Sequence, residues 1–239
     1  MTQATLQALI FDVDGTLADT EAAHLAAFNR AFAETGRDWH WDVEEYTRLL
    51  EISGGKERIL HYWRQTQPDL IDIGAGVRDT VAQLHELKTS FYEKAVQEGA
   101  VQLRPGVLKL IEDAHIAGLQ LAIATTTSPV NIAALLRKAV GDDWQQYFAV
   151  IEDASTAPNK KPHPQVYLQT LERLGLPADA CIAFEDSANG LVAAQAAGLP
   201  VLITPNGFTE HHEFTGALRV LPDLGDVTLE QVRQWHAAA

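Results

Sequence analysis

The sequence contains few of the residues that mark secreted, membrane-spanning or nucleic-acid-binding proteins. Its single cysteine, Cys181, excludes an intramolecular disulfide framework and suits a reducing compartment. No apolar run is long enough to span a membrane, and no basic segment followed by an apolar one marks a secretory signal at the N-terminus. These features favour a cytoplasmic protein, or the mature form of an organellar protein such as a plastid one.

Positive charge is also scarce in this chain. Eighteen lysines and arginines face 32 acidic residues, which gives a formal net charge of −14 over 239 residues. A general nucleic-acid binder needs a broad basic face, so this class is excluded. A small anionic substrate stays compatible, because a few local cations and a bound metal can reverse the field inside one pocket.

Short apolar runs predict the strands of a parallel sheet. The runs are apolar nearly throughout, as expected for strands that are covered on both faces. They lie at residues 8–13, 119–125, 147–152, 181–186 and 200–204. Helical patterns that end at Gly118, Gly175 and Gly198 separate the later strands. The alternation of strand and helix predicts a doubly wound α/β sheet.

Residues 20–98 interrupt this alternation and contain no convincing strand. A first helix begins after Thr20, which can cap it, and ends near Gly36. Further helices are predicted near residues 42–51, 56–66 and 77–97. The sequence therefore predicts a core domain formed by residues 1–19 and 99–239, with a helical domain inserted between its two parts.

Polar side chains follow the predicted strands at the edge where open parallel sheets bind their ligands. They are Asp12 and Asp14 after the first strand, Thr125 and Thr126 after the second, Lys160 and Lys161 before the helix that leads to the fourth, and Glu185 and Asp186 at the end of the fourth. Singly, such residues are more often turns or helix caps. As a set at one sheet edge, they favour a functional site.

Phosphoryl transfer is the chemistry that needs this mixture of side chains. Oxygen ligands suit Mg²⁺, and a carboxylate can attack phosphorus to form an aspartyl phosphate. A lysine, hydroxyl donors and a metal can neutralise the phosphoryl oxygens in the transition state. A second carboxyl group, kept protonated, can donate its proton to the leaving oxygen.

The segments FDVDGT, ATTTS, KKP and FEDSANG resemble the four signature motifs of the haloacid dehalogenase (HAD) superfamily, in their order and at similar spacing. The resemblance covers the whole chain and implies a Rossmann-like core with an inserted helical cap domain. It implies that Asp12 is the nucleophile and Asp14 the general acid and then the base. Thr125 and Lys161 match the motif hydroxyl and the motif lysine. The second aspartate argues against a dehalogenase, which has no leaving alcohol to protonate.

The same resemblance implies Mg²⁺ as the cofactor. Asp12, the backbone carbonyl of Asp14 and Asp186 would hold the ion, and Glu185 would assist through a water molecule. Thr126 and Lys160 are neighbours of motif residues, and the sequence does not separate their roles from those of Thr125 and Lys161.

The inserted domain offers candidate substrate contacts. Glu21 and His24 lie three residues apart on its first helix and can share a face. The alternative is a solvated helix start with a stabilising acid. Tyr46 can reach a substrate as well, whereas Lys88 fits a surface helix lysine better than a substrate contact.

The segment SGGKERIL, residues 53–60, has the composition of an anion site. Gly54 and Gly55 leave the backbone free, and Lys56 and Arg58 follow at a helix N-terminus, where amides and cations attract phosphate. This pattern predicts a contact with a second phosphate on the substrate. An ordinary basic helix start is the alternative.

The segments DTEAAH, WDVEEY, GGKERI, ATTTS and EDSANG resemble the CbbY-type branch of the superfamily, near β-phosphoglucomutase. The resemblance implies a sugar bisphosphate substrate, with hydrolysis of xylulose 1,5-bisphosphate to xylulose 5-phosphate, which removes a Rubisco inhibitor. The substrate contacts that it implies are Glu21, His24, Tyr46, Gly54, Gly55, Lys56, Arg58 and Thr126. No nucleic-acid or membrane partner is expected, and a monomer is the default.

Other functions share much of this pattern. A β-phosphoglucomutase-type sugar-phosphate mutase would return the phosphate to the sugar, and a phosphoglycolate or general sugar-phosphate phosphatase would accept other substrates. A phospho-receiver module also places acids, a hydroxyl and a lysine at the mouth of a doubly wound sheet. The receiver is disfavoured, because such a module would be half this length and would not need the helical insert.

Overall fold

The computed structural model describes residues 5–70 and 74–239. The chain divides into two compact units. The core unit contains the described residues up to Asp19 together with Gln102–Ala239, and the helical unit spans Thr20–Val101.

The core unit is built on a six-stranded sheet in the order β3-β2-β1-β4-β5-β6, and all neighbouring strands are parallel. The strands are β1 (Ala8–Phe11), β2 (Gln120–Ala124), β3 (Val150–Glu152), β4 (Cys181–Glu185), β5 (Val201–Ile203) and β6 (Arg219–Val220). The predicted doubly wound α/β sheet is thus confirmed. The sequence analysis missed β6, because this two-residue strand is exposed and has no apolar run.

Helices pack on the sheet in the core unit, and the regular secondary structure described in the helical unit consists of helices. They are α1 (Glu21–Glu34), α2 (Val43–Leu49), α3 (Gly55–Thr66), α4 (Ala75–Gln97), α5 (Val107–Ile116), α6 (Pro129–Ala139), α7 (Gln165–Leu174), α8 (Ala188–Ala196) and α9 (Leu229–His236). Two 3-10 helices lie at Trp144–Tyr147 and Ala178–Ala180. In the described part of the chain, no helix has the length and apolar character needed to cross a membrane.

The sheet core consists of apolar residues from both faces of the central strands. Ala8 and Ile10 of β1 pack in one cluster with Ala183 of β4, and all three side chains are fully buried. Leu9 and Phe11 are equally buried on the opposite face of β1, as the alternation of side chains along a strand requires. Burial on both faces explains why these strands are continuous apolar runs.

The helical unit packs an aromatic core between its helices. Phe28 and Phe32 of α1 lie against Trp41. Their ring centroids are 4.7 and 4.9 Å, respectively, from that of Trp41, and all three rings are fully buried. One expected feature is absent: Thr20 does not cap α1. Its backbone has helical angles (φ −92°, ψ −19°), which differ from the extended conformation that lets a cap side chain reach the free amides.

Candidate active site

The pairing of the two central strands brings the first acidic residues together. Phe11 of β1 is in register with Phe184 of β4, so the next residues, Asp12 and Glu185, are neighbours across the strands. The Asp12 amide donates to the Phe184 carbonyl at 3.0 Å, which extends this pairing to the site. The strand order also changes direction between β1 and β4, and such positions form the ligand crevice of doubly wound sheets.

Three buried carboxylates form a cluster at this edge. Asp12, Glu185 and Asp186 each have a carboxylate oxygen within 4.8 Å of the others. The Lys161 ammonium lies among them, 2.7 Å from Asp12 Oδ1 and 2.5 Å from Glu185 Oε1, and it also donates to the Ala124 carbonyl at 2.9 Å. A lysine that is only 5% exposed needs such partners, because an unpaired buried charge is costly.

Burial and neighbouring charges shift the acidity of this cluster. Burial raises the pKa of Asp12 to about 7, with the Lys161 cation opposing the rise and the Glu185 carboxylate adding to it. For Lys161, burial favours the neutral amine, but the two carboxylates outweigh it and raise its pKa above the ordinary value. Lys161 therefore stays charged at neutral pH, and a second cation near Asp12 would favour the ionised carboxylate.

The other predicted core residues surround the cluster. Asp14 is half-buried in the loop after β1, and Thr125 is buried after β2, where its Oγ1 accepts from the Thr127 amide at 3.3 Å. Thr126 and Lys160 are half-buried. The structure thus distinguishes the two lysines, since the ion pairs with Asp12 and Glu185 are made by Lys161. The roles of these residues in the reaction stay predictions.

Two side chains that the sequence analysis did not select hold the acidic loops. Asn206 donates to Asp186 Oδ2 at 2.8 Å. The Arg104 guanidinium, 8% exposed, donates to the backbone carbonyls of Gly15 and Thr204, both at 2.5 Å. Gly15 has a positive φ of 79°, and a Cβ there would lie 2.6 Å from Asn206 Nδ2, so the loop after β1 requires glycine.

In the helical unit, Tyr46, Glu21 and Arg58 form a hydrogen-bonded group. The fully buried Tyr46 donates its hydroxyl to Glu21 Oε2 at 2.6 Å. Arg58 donates to the Tyr46 hydroxyl at 3.3 Å and to the carbonyls of Leu49 and Ile52 at 3.0 and 3.2 Å. These contacts orient the Glu21 carboxylate and fix the segment before α3. They give Arg58 a structural task that the sequence analysis did not anticipate.

Lys88 is buried, so its interpretation as a surface lysine was wrong. Its ammonium is 2.8 Å from His24 Nδ1 and 4.9 Å from the centre of the Phe28 ring, and the side chain is only 4% exposed. His24 itself is buried and stacks on Tyr92 at 4.0 Å. A signal was available in the sequence, because Leu84, Lys88 and Tyr92 occupy one buried stripe of α4.

The predicted anion site coincides with the first turn of α3. Gly54 is the residue before the helix and has a positive φ of 98°. A Cβ at Gly55 would lie 2.7 Å from the His85 ring, so a larger residue here would require the His85 side chain to move. Lys56 is exposed at the start of the helix, which leaves its ammonium accessible to an anion.

Comparison with known proteins gives a consistent picture. A family model described as haloacid dehalogenase-like hydrolase matches residues 6–198. The chain is 58% identical over 221 residues to the plasmid protein CbbY of Cupriavidus necator, which covers 92% of this chain and 87% of that protein. It is also 30% identical over 197 residues to a phosphorylated carbohydrates phosphatase of Thermotoga maritima, with 81% of this chain and 82% of that protein covered.

A solved structure agrees with these relatives. It contains a mutant of CbbY from Rhodobacter sphaeroides in complex with xylulose-(1,5)bisphosphate. It matches with a TM-score of 0.86 and 42% identity, covering 93% of this chain and 96% of that chain.

The chain belongs to the haloacid dehalogenase-like hydrolase family. Within this family it is a phosphatase of the CbbY-like branch, as the sequence motifs predicted. The alternative of a phospho-receiver module was therefore wrong.

The donor set of the acidic cluster fits Mg²⁺. Asp12, Glu185 and Asp186 supply hard carboxylate oxygens within 4.8 Å of one another, and no soft sulfur or imidazole ligand belongs to the group. One Glu185 oxygen, Oε2, is buried and has no hydrogen-bond partner in the described part of the chain, so the cluster contains an orphaned acceptor. Three acidic groups around a single lysine leave an excess of negative charge that a divalent cation would balance.

Proposed function

We propose that this protein is a Mg²⁺-dependent phosphatase that converts xylulose 1,5-bisphosphate to xylulose 5-phosphate through an aspartyl phosphate. The observation that carries the chemistry is the buried contact of Lys161 with Asp12, within a group of oxygen ligands. The substrate is supported by the 42% identical CbbY structure, whose complex contains xylulose-(1,5)bisphosphate.

The acidic cluster supports a Mg²⁺ site. Asp12, Asp186 and the backbone carbonyl of Asp14 would hold the ion, with Glu185 acting through water. When bound, Mg²⁺ supplies positive charge that stabilises the phosphoryl oxygens and keeps Asp12 ionised.

The reaction has two steps that the core residues carry out. Asp12 attacks phosphorus, while Lys161 neutralises charge on the phosphoryl group and Thr125 donates a hydrogen bond to it. Asp14 gives its proton to the sugar oxygen as the P–O bond breaks, so xylulose 5-phosphate leaves as an alcohol. Asp14 then takes a proton from water, and the resulting hydroxide attacks the aspartyl phosphate to release inorganic phosphate and regenerate Asp12.

Residues of the helical unit select the sugar bisphosphate in this proposal. Glu21, held by Tyr46, accepts hydrogen bonds from sugar hydroxyls. Lys56 and the free amides after Gly54 and Gly55 bind the retained phosphate. Further sugar contacts are proposed for His24, Arg58 and, in the core unit, Thr126.

A substrate panel tests this function. Xylulose 1,5-bisphosphate, ribulose 1,5-bisphosphate and glucose 1,6-bisphosphate are incubated with the protein, with Mg²⁺ and with a chelator. We expect Mg²⁺-dependent phosphate release, fastest from xylulose 1,5-bisphosphate, with one phosphate retained on the product. Formation of an isomerised sugar phosphate without free phosphate would instead identify a mutase, and preference for another substrate would overturn the substrate assignment.

A further inference from the structure

A buried tyrosine outside the four motifs contacts the charged cluster. Tyr167 lies on α7, is fully buried, and donates its hydroxyl to Glu185 Oε1. The Lys161 ammonium sits 5.1 Å from the centre of the same ring. One side chain therefore touches both the cation and the carboxylate that pairs with it.

The Glu185 carboxylate depends on these contacts for its orientation. Its Oε1 accepts from Lys161 and from Tyr167, whereas Oε2 has no hydrogen-bond partner among the described residues. Gly190 lies directly against Oε2, so closely that a Cβ at this position would overlap the oxygen. The carboxylate is thus packed on one side and held by hydrogen bonds on the other.

The contacts continue from Glu185 to the reacting group. Lys161 lies 2.5 Å from Glu185 Oε1 and 2.7 Å from Asp12 Oδ1, so Glu185, together with the Ala124 carbonyl, holds the ammonium against Asp12. A phenylalanine in place of Tyr167 would fill nearly the same volume and keep the aromatic face toward Lys161. Packing alone therefore does not require the hydroxyl. A buried hydroxyl needs a hydrogen-bond acceptor, and here the acceptor is Glu185.

We propose that Tyr167 is a positioning residue for phosphoryl transfer. Its hydroxyl fixes Glu185, and Glu185 in turn directs Lys161 onto Asp12. This inference rests on the proposed role of Asp12 as the nucleophile.

The test compares Tyr167→Phe with the wild type and with Tyr147→Phe. Tyr147 is half-buried in the core unit, its ring packs 5.0 Å from that of His115, and it lies outside the cluster, so it is a matched control for the loss of a hydroxyl. The assay uses p-nitrophenyl phosphate, so that it does not depend on the sugar assignment. We expect Tyr167→Phe to lower kcat by about tenfold with KM little changed, whereas Tyr147→Phe stays within about twofold of the wild type.

A second readout separates positioning from a purely structural role. Calorimetric titration with Mg²⁺, without substrate, should give a Kd raised by about threefold to tenfold in Tyr167→Phe, because Glu185 belongs to the acidic cluster. A structural role would lower the midpoint of thermal unfolding and leave kcat and the Mg²⁺ Kd of the folded protein unchanged. That result would overturn the inference.

A double-mutant cycle tests whether Tyr167 acts through Glu185. We expect Tyr167→Phe to change kcat by less than about twofold in a Glu185→Gln background, since the two changes interrupt the same path. Additive losses of kcat would show that Tyr167 does not act through Glu185. Asp12→Asn in the same assay keeps the two proposals distinct. A near-wild-type kcat in that variant would defeat the nucleophile assignment. A large loss of kcat in Asp12→Asn, combined with wild-type behaviour of Tyr167→Phe, would defeat only the inference about Tyr167.

Discussion

The charged residues at the acidic edge of the core unit differ in burial and in partners from the candidate binding residues of the helical unit. In the core unit, Asp12, Lys161 and Glu185 are buried and paired with each other. In the helical unit, Lys56 is exposed, while Arg58 contacts carbonyls and a tyrosine of its own unit. This contrast accompanies the division of roles in the proposed function, in which the core unit carries out the phosphoryl transfer and the helical unit selects the phosphate that is accepted.

The largest expected effect is the loss of the nucleophile. Asp12→Asn keeps the size of the side chain but cannot form an acyl phosphate, so kcat should fall by about 10³-fold or more. Mg²⁺-dependent phosphate release measures this loss for both xylulose 1,5-bisphosphate and p-nitrophenyl phosphate. Asp142→Asn is the control, because this side chain is 91% exposed and should leave turnover unchanged. A kcat of Asp12→Asn within about tenfold of the wild type would exclude the covalent route.

Removal of the buried cation should have the next largest effect. Lys161→Met should lower kcat by about 10²-fold to 10³-fold, because a positive charge aimed at the phosphoryl group is lost. Lys161 also lowers the pKa of Asp12, so its removal raises that pKa and the acid limb of the pH–kcat/KM profile should move to higher pH.

Lys160→Met is the matched control for this change, because Lys160 is half-buried beside Lys161. It should keep both the wild-type rate and the wild-type pH profile. A similar loss of kcat in both lysine variants would show that the effect does not come from the ion pairs of Lys161 with Asp12 and Glu185.

A smaller and different effect is expected in the helical unit. Lys56→Ala should raise KM for xylulose 1,5-bisphosphate by about tenfold with kcat nearly unchanged, since a charged contact to the retained phosphate is lost. Lys94→Ala changes an exposed lysine of the same unit, 3.9 Å from Glu98, and should leave KM as it is. An unchanged KM in Lys56→Ala would remove the argument for a second phosphate site.

The smallest expected effect concerns the orientation of Glu21. Tyr46→Phe removes the hydroxyl that donates to Glu21 at 2.6 Å, and KM for the sugar bisphosphate should rise by about fivefold. Tyr62→Phe, at a half-buried ring of the same unit, is the control. A fall of about fivefold in kcat for p-nitrophenyl phosphate in Tyr46→Phe would instead mean that Tyr46 contributes to phosphoryl transfer. The contrast between the two units would then weaken.

The core site could be predicted from the sequence for a physical reason. Parallel strands end at one edge, so residues directly after apolar runs, such as Asp12 and Glu185, must be neighbours once the strand order is known. The resemblance assigned Lys161 as the motif lysine, but the residues alone did not separate it from Lys160, because the two are adjacent and the choice depends on the local backbone.

The residues that support the site were harder to predict. Tyr167 and Asn206 each donate a hydrogen bond to a carboxylate of the cluster, and Arg104 donates to the backbone of the loops around it. No spacing in the sequence marks such contacts. In the helical unit, Lys88 was misjudged because lysine is most often exposed, although its place on a buried helical stripe pointed the other way.

The ratio of kcat/KM for xylulose 1,5-bisphosphate to kcat/KM for p-nitrophenyl phosphate tests the division between the two units most directly. It should be measured side by side in the wild type, Lys161→Met and Lys56→Ala. We predict that Lys161→Met lowers both values and leaves the ratio within about threefold of the wild type, whereas Lys56→Ala lowers the ratio by about tenfold. A ratio that is unchanged in Lys56→Ala, or that collapses in Lys161→Met, would contradict the account.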